Sequence, residues 1–321
     1  MKEDQAGSTS EGKRIRMLMT MSNDEKEIGI VGLGSMGLNI SKVLLRNGYA
    51  LTVYNRSVDK YAHFNDSEEV TCTSSMDEFA EKLQQKGKDA VVWMMLPGGE
   101  PTNSMLSELS SILNKGSVII DGSNSDSADS VSNYNKLRGK GIEYLDVGVA
   151  GGPDDVLKGV AIMAGGDKET FDKVKEILQE VAGGRERCGY VGESGSGHRL
   201  KAAHNSIFYS IFPIFAETAA AVIEQNNGDK ETAEESLRLL SIAPPITKGI
   251  PEAILNAFRS GELLKEAPKV SVSKMVSSYV DSAEKKGTPL DITKEVLKSY
   301  PEMRDSTKKV YSGAKKILTG H

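Results

Sequence analysis

Absences set the first limits on this 321-residue chain. No apolar run reaches the roughly 18 residues of a membrane span, so no membrane partner is expected. Only two cysteines occur, Cys72 and Cys188. Their spacing suggests neither a metal site nor a disulfide framework, and it suits a reducing cytoplasm. The four histidines, His63, His198, His204 and His321, form no HxxH or HExxH pair, so no protein-held metal is expected. Positive charge is not in excess either. A net charge of −5 and a pI near 5.6 count against nucleic acid as a partner. Residues 1–26 lack the long apolar stretch of a secretory leader and mix acidic with basic residues, which implies a disordered tail.

What remains is ordinary for a soluble globular protein of one or two domains. Apolar residues make up 38%, charged residues 26%, and the mean hydropathy is −0.34.

The informative stretch begins at "EIGIVGLGSMG". Residues 27–31 read as a short buried strand and 36–46 as a helix. Between them Gly32, Gly34 and Gly37 stand in GxGxxG order, with Leu33, Ser35 and Met36 completing a candidate cofactor loop. The first glycine permits a tight turn, and the second lets a pyrophosphate approach the backbone. The third lets the helix pack close to the strand, with its N-terminus aimed at the phosphates. A second strand, 51–54, follows about twenty residues on, as a dinucleotide fold requires. It ends in "YNRS". Asn55, Arg56 and Ser57 stand where an NAD enzyme places a carboxylate for the ribose hydroxyl. A guanidinium flanked by amide and hydroxyl suits a 2′-phosphate, so NADP is the expected cofactor rather than NAD.

Further strands at 90–95, 117–121, 143–148 and 160–164 alternate with helical stretches. This rhythm implies an α/β Rossmann domain over 27–192, doubly wound around a mainly parallel sheet. Its ligands belong beyond the carboxyl ends of the strands. Three loops lie there: "LPGGEPT" with Leu96 and Pro97, "DGSNSD" with Asn124, and "GVAGGPDD" with Ala150, Gly151 and Gly152. From 193 to 321 helical patterns take over, implying an all-α second domain. Residues 197–225 read as one long apolar helix bent at Pro213, which suggests at least a dimer. On it, Lys201, Asn205 and Phe208 fall on one face with Tyr209 beside them.

The order GLGSMG, YNRS, LPGGEPT, DGSNS, DVGVAGG and GSGHRLKAAHN resembles the β-hydroxyacid dehydrogenase superfamily, and within it the short form of 6-phosphogluconate dehydrogenase. The resemblance implies a Rossmann domain followed by an all-helical dimerisation domain. It also implies oxidation of 6-phosphogluconate at C3 with NADP, then loss of CO₂ to give ribulose 5-phosphate. In that family Lys201 would match the lysine that removes the hydroxyl proton, and Asn205 the asparagine that holds the reacting hydroxyl. Asn124 would lie near nicotinamide and substrate, with Ala150, Gly151 and Gly152 in the substrate loop. His204 would stand beside the substrate, Tyr209 would touch its phosphate, and Lys315 and His321 would reach a partner subunit's site.

The chain departs from the family at several positions, among them Lys315 and Tyr300, each where the family has an arginine. Phe208 stands where the family has a proton-donating glutamate, and Ala150 where it has a serine. These departures open a second expectation, a dehydrogenase for another 3-hydroxy acid such as 3-hydroxyisobutyrate. A third is a catalytically silent NADP-binding protein.

Overall fold

The computed structural model describes residues 26–205 except 66 and 86–88, together with scattered positions between 231 and 295. The chain divides into two compact units between Asn205 and Ser206. The sheet and its helices belong to the first unit. The expected tail at 1–26 apart from Lys26, the helix beyond 205 with Pro213, and Phe208, Tyr209, Tyr300, Lys315 and His321 lie outside the described residues.

Strand β1 (Glu27–Val31) is buried along nearly its whole length, as its Ile- and Val-rich run requires of a central parallel strand. Helix α1 (Ser35–Arg46) returns the chain to β2 (Ala50–Tyr54). A 3₁₀ segment, Val58–Phe64, leads to the short β3 (Val70–Cys72). Helix α2 (Met76–Leu83) starts at Ser75, whose hydroxyl accepts from the Glu78 N–H. Hydrogen bonds from Ser74 hold the exposed Glu78 carboxyl below its usual range. Then come β4 (Val91–Met94), α3 (Glu100–Ile112), β5 (Val118–Asp121), α4 (Ser127–Arg138) and β6 (Glu143–Ala150). A single turn, α5 (Pro153–Val156), precedes β7 (Ala161–Gly166), α6 (Lys168–Ala182) and β8 (Cys188–Gly192). The described chain ends in helix α7, residues 196–205.

The eight strands form one sheet in the order β3-β2-β1-β4-β5-β6-β7-β8. Strands β1 to β6 are mutually parallel, β7 runs antiparallel to β6, and β8 pairs parallel with β7. This is the Rossmann order extended at one edge. One core lies on the α1 and α6 face, around Ile30, Leu44, Trp93 and Leu178. The other lies beneath α2, α3 and α4, around Phe79, Met94, Leu109 and Tyr144. Among the described residues no helix is long and apolar enough to cross a membrane.

The strands expected from the sequence at 27–31, 51–54, 90–95, 117–121, 143–148 and 160–164 all form, within two residues at each end. Strands β3 and β8 were not legible. Each is partly exposed and lies at a sheet edge, so neither needs the unbroken apolar run that marks a buried strand.

Candidate functional site

The three glycines after β1 meet three different local demands. Gly32 has φ +98°, and its N–H donates to the Tyr54 carbonyl at 3.0 Å, closing the turn between β1 and β2. A methyl at Gly37 would stand 2.0 Å from the Gly32 carbonyl oxygen, so only glycine lets α1 start so close to the strand. Gly34 has ordinary backbone angles, and among the described residues nothing lies within 4 Å of where its Cβ would be. Sterics inside the chain do not ask for glycine there. Close approach of a ligand would. Gly34 is also the N-cap of α1; its first turn has neither a side-chain cap nor an acidic residue, which leaves the positive end of the helix dipole facing outward.

The end of β2 is fastened to this loop. Asn55 Oδ1 accepts from the Leu33 N–H at 2.8 Å, and its Nδ2 donates to the Ser57 carbonyl at 2.9 Å. Tyr61 accepts from the Asn55 N–H at 2.9 Å and donates to the Thr73 carbonyl at 2.8 Å. Asn55 therefore works as a clamp, while Arg56 and Ser57 are exposed and free to meet a ligand. These groups line a cleft of about 440 Å³ with Gly32, Gly34, Leu96 and Pro97. Ser104, Met105 and Glu108 of α3 complete its far wall, a contribution the sequence did not disclose. Of the remaining expected cofactor positions, Leu33 is buried in the core, Met36 is half-buried and Ser35 is exposed.

The loop after β4 presses against the loop after β5, since a Cβ on Gly98 would lie 2.2 Å from the Asn124 carbonyl oxygen. Asn124 is exposed between two buried serines. Ser123 donates to Asp121 Oδ1 at 2.6 Å and shares a 2.7 Å hydrogen bond with Ser125. In the third loop Ala150 ends β6, Gly151 has φ +154°, and the Gly152 N–H donates to Asp155 Oδ2 at 2.7 Å. Asn39 of α1 donates to the Pro153 carbonyl at 2.9 Å, tying this loop to the helix of the glycine cradle.

Lys201 is 9% exposed, an unusual position for an ammonium. Its Cβ packs on the backbone of Gly148 in β6, where an added methyl would stand 2.7 Å away. Burial lowers the proton affinity of its amine below the usual lysine value. Asn205, one turn on, is half-buried, and His204 is exposed. Three residues before Lys201, His198 is 2% exposed with its Nδ1 2.7 Å from Ser130 Oγ. Ser130 Oγ also lies 3.0 Å from the Asp126 carbonyl, to which it can donate. His198 Nε2 is buried with no hydrogen-bond partner among the described residues.

Residues 27–192 match the family described as the NAD binding domain of 6-phosphogluconate dehydrogenase. The decarboxylating 6-phosphogluconate dehydrogenase of Bacillus licheniformis is 35% identical over 196 residues, which cover 59% of this chain and 41% of that one. The NAD⁺-dependent, decarboxylating enzyme of Bacillus subtilis is 30% identical over 268 residues, covering 81% of this chain and 55% of that one. The chain thus spans about half the length of these curated relatives. An imine reductase from a Pseudomonas species shares the fold at a TM-score of 0.68 and 19% identity, covering 88% of this chain and 94% of that one. By the match across its whole nucleotide domain, the chain belongs to the 6-phosphogluconate dehydrogenase family.

Proposed function

We propose that the protein is an NADP-dependent oxidoreductase that oxidises 6-phosphogluconate at C3, with loss of CO₂ to give ribulose 5-phosphate. The observation that carries this reading is a buried lysine of lowered proton affinity on the helix that follows a dinucleotide cradle. The cradle fits the cofactor. Gly34 leaves room for a pyrophosphate, the α1 N-terminus favours its charge, and no carboxylate stands in "YNRS" to repel a 2′-phosphate. Arg56 and Ser57 would hold that phosphate, although the relative from Bacillus subtilis is named as NAD⁺-dependent. When bound, the nicotinamide supplies the hydride acceptor.

The neutral Lys201 amine takes the proton of the substrate hydroxyl as the carbon is oxidised. The resulting ammonium then stands beside the ketone oxygen and gives its proton there as CO₂ departs, leaving an enediol. With Phe208 at the family's glutamate position, water protonates the carbon that lost CO₂ while Lys201 takes the hydroxyl proton back, which completes ribulose 5-phosphate. Asn205, four residues on, shares the helix face of Lys201 and holds the reacting oxygen. Asn124, held between Ser123 and Ser125, would lie near the nicotinamide and the substrate, as its family counterpart does. The functional form is a homodimer or larger, and it acts in the cytoplasm on a small-molecule sugar acid phosphate.

Two residues favour a second reading. Ala150 and Phe208 remove a hydroxyl and a carboxyl from the substrate side, which suits another 3-hydroxy acid, such as 3-hydroxyisobutyrate. NADPH formation measured across a panel of hydroxy acids with both cofactors separates the readings. Turnover with 6-phosphogluconate supports the first, and turnover with 3-hydroxyisobutyrate alone supports the second. Binding of NADP without turnover on any compound supports a silent nucleotide-binding protein.

A further inference from the structure

Asp121 and Asp146 are direct register partners on β5 and β6, and both are fully buried. Carboxylates in such positions need hydrogen bonds, and each obtains them from a different part of the site. Asp146 accepts from the N–H of Gly195 at 2.7 Å and the N–H of His198 at 2.9 Å, the free donors at the start of α7. Asp121 accepts from the N–H and the hydroxyl of Ser123, at 3.0 and 2.6 Å, and from the Tyr144 hydroxyl at 2.8 Å.

The helix has no room to settle differently. A Cβ on Gly197 would stand 2.2 Å from the Asp146 carbonyl oxygen, and one on Gly165 would stand 2.7 Å from the Gly197 nitrogen. Helix α7 thus rests on sheet backbone. Asp146, two residues from the Gly148 surface that receives Lys201, holds the helix's first backbone N–H groups, and the Ser130–His198 hydrogen bond adds a second tie.

We infer that Asp146 is the positioning residue for Lys201, and that Asp121, beside it in the same rung, positions the loop that presents Asn124. One pair of neighbouring strands then sets both the amine and the amide. This rests on the role proposed above for Lys201, but its physical content, where the amine is held, can be read without substrate.

The test uses the full chain and its Asp146→Asn, Asp146→Glu and Asp121→Asn variants. Trace acetylation with acetic anhydride, read by mass spectrometry, reports the labelling rate of Lys201 relative to the exposed Lys136 of the same molecule. Asp146→Asn loses one charge-assisted bond and sets an amide donor against a helix N–H. Relative labelling of Lys201 is expected to rise at least about tenfold. The kcat falls on the order of 10²-fold, and KM changes by less than about threefold. Asp121→Asn lowers kcat but leaves Lys201 labelling at the wild-type rate. Unchanged Lys201 labelling in Asp146→Asn, or acceleration of Lys201 and Lys136 together, would overturn the inference. Should Asp146→Asn not accumulate as folded protein, Asp146→Glu is read the same way. Intermediate labelling supports the inference, and wild-type labelling overturns it. Absence of turnover on every hydroxy acid would remove the proposed activity and leave the positioning role to be decided by labelling alone.

Discussion

Gly34 and Gly37 stand three residues apart under opposite constraints, and substitution separates them. Gly37→Ala would drive a methyl into the Gly32 carbonyl oxygen, so a loss of more than about 2 kcal/mol is expected in thermal unfolding. Gly34→Ala meets nothing in the chain, so stability should hold within about 0.5 kcal/mol while NADP affinity falls at least about tenfold by calorimetry. Equal effects of the two on stability would contradict the ligand-facing role of Gly34. Arg56→Ala is expected to weaken NADP by about 1.5–3 kcal/mol and NAD far less. Equal losses for both cofactors would refute a 2′-phosphate contact.

Lys201 is tested through pH. Its amine deprotonates below the usual lysine value, so kcat/KM for oxidation should rise with pH along a limb centred below 10.5. Between the folded and unfolded values the unfolded chain binds more protons, so this residue makes stability increase with pH through that window. Lys201→Met should therefore abolish turnover, leave the protein no less stable near neutral pH, and remove that slope from the stability profile.

At the scale of elements, the segment Val58–Phe64 holds the cofactor-facing end of β2 in place through a single hydroxyl. Tyr61→Phe would leave the Asn55 N–H and the Thr73 carbonyl without their partner. A loss of about 1–3 kcal/mol in denaturant unfolding is expected, together with weaker NADP binding. Unaltered NADP affinity would separate this clamp from the cofactor site.

Legibility in the sequence differs between elements for physical reasons. Strand β1 was legible because it is buried on both faces and must be continuously apolar. The glycine cradle was legible because backbone geometry admits few other residues. Asp146 was not. It lies in a strand and serves donors 49 and 52 residues later in the chain, a relation no local pattern carries. Asn39 and Tyr61 escaped notice for the same reason, since their value lies in loops brought close only by folding.

For the whole molecule, the sheet order places four loops along one edge: the glycine cradle after β1, YNRS after β2, and those after β4 and β5. The loop after β6 joins them through Asn39, and α7 rests on β6 and β7 with Lys201 against Gly148. The family match over residues 27–192 and this convergence both point to a nicotinamide-dinucleotide-binding oxidoreductase domain. The most direct test incubates the purified chain with NADP and 6-phosphogluconate and follows NADPH and CO₂ together, with Lys201→Met as the control. Equal release of both products by the wild type and none by the variant is the expected result. Tight NADP binding with no NADPH from 6-phosphogluconate, or undiminished turnover by Lys201→Met, would contradict it.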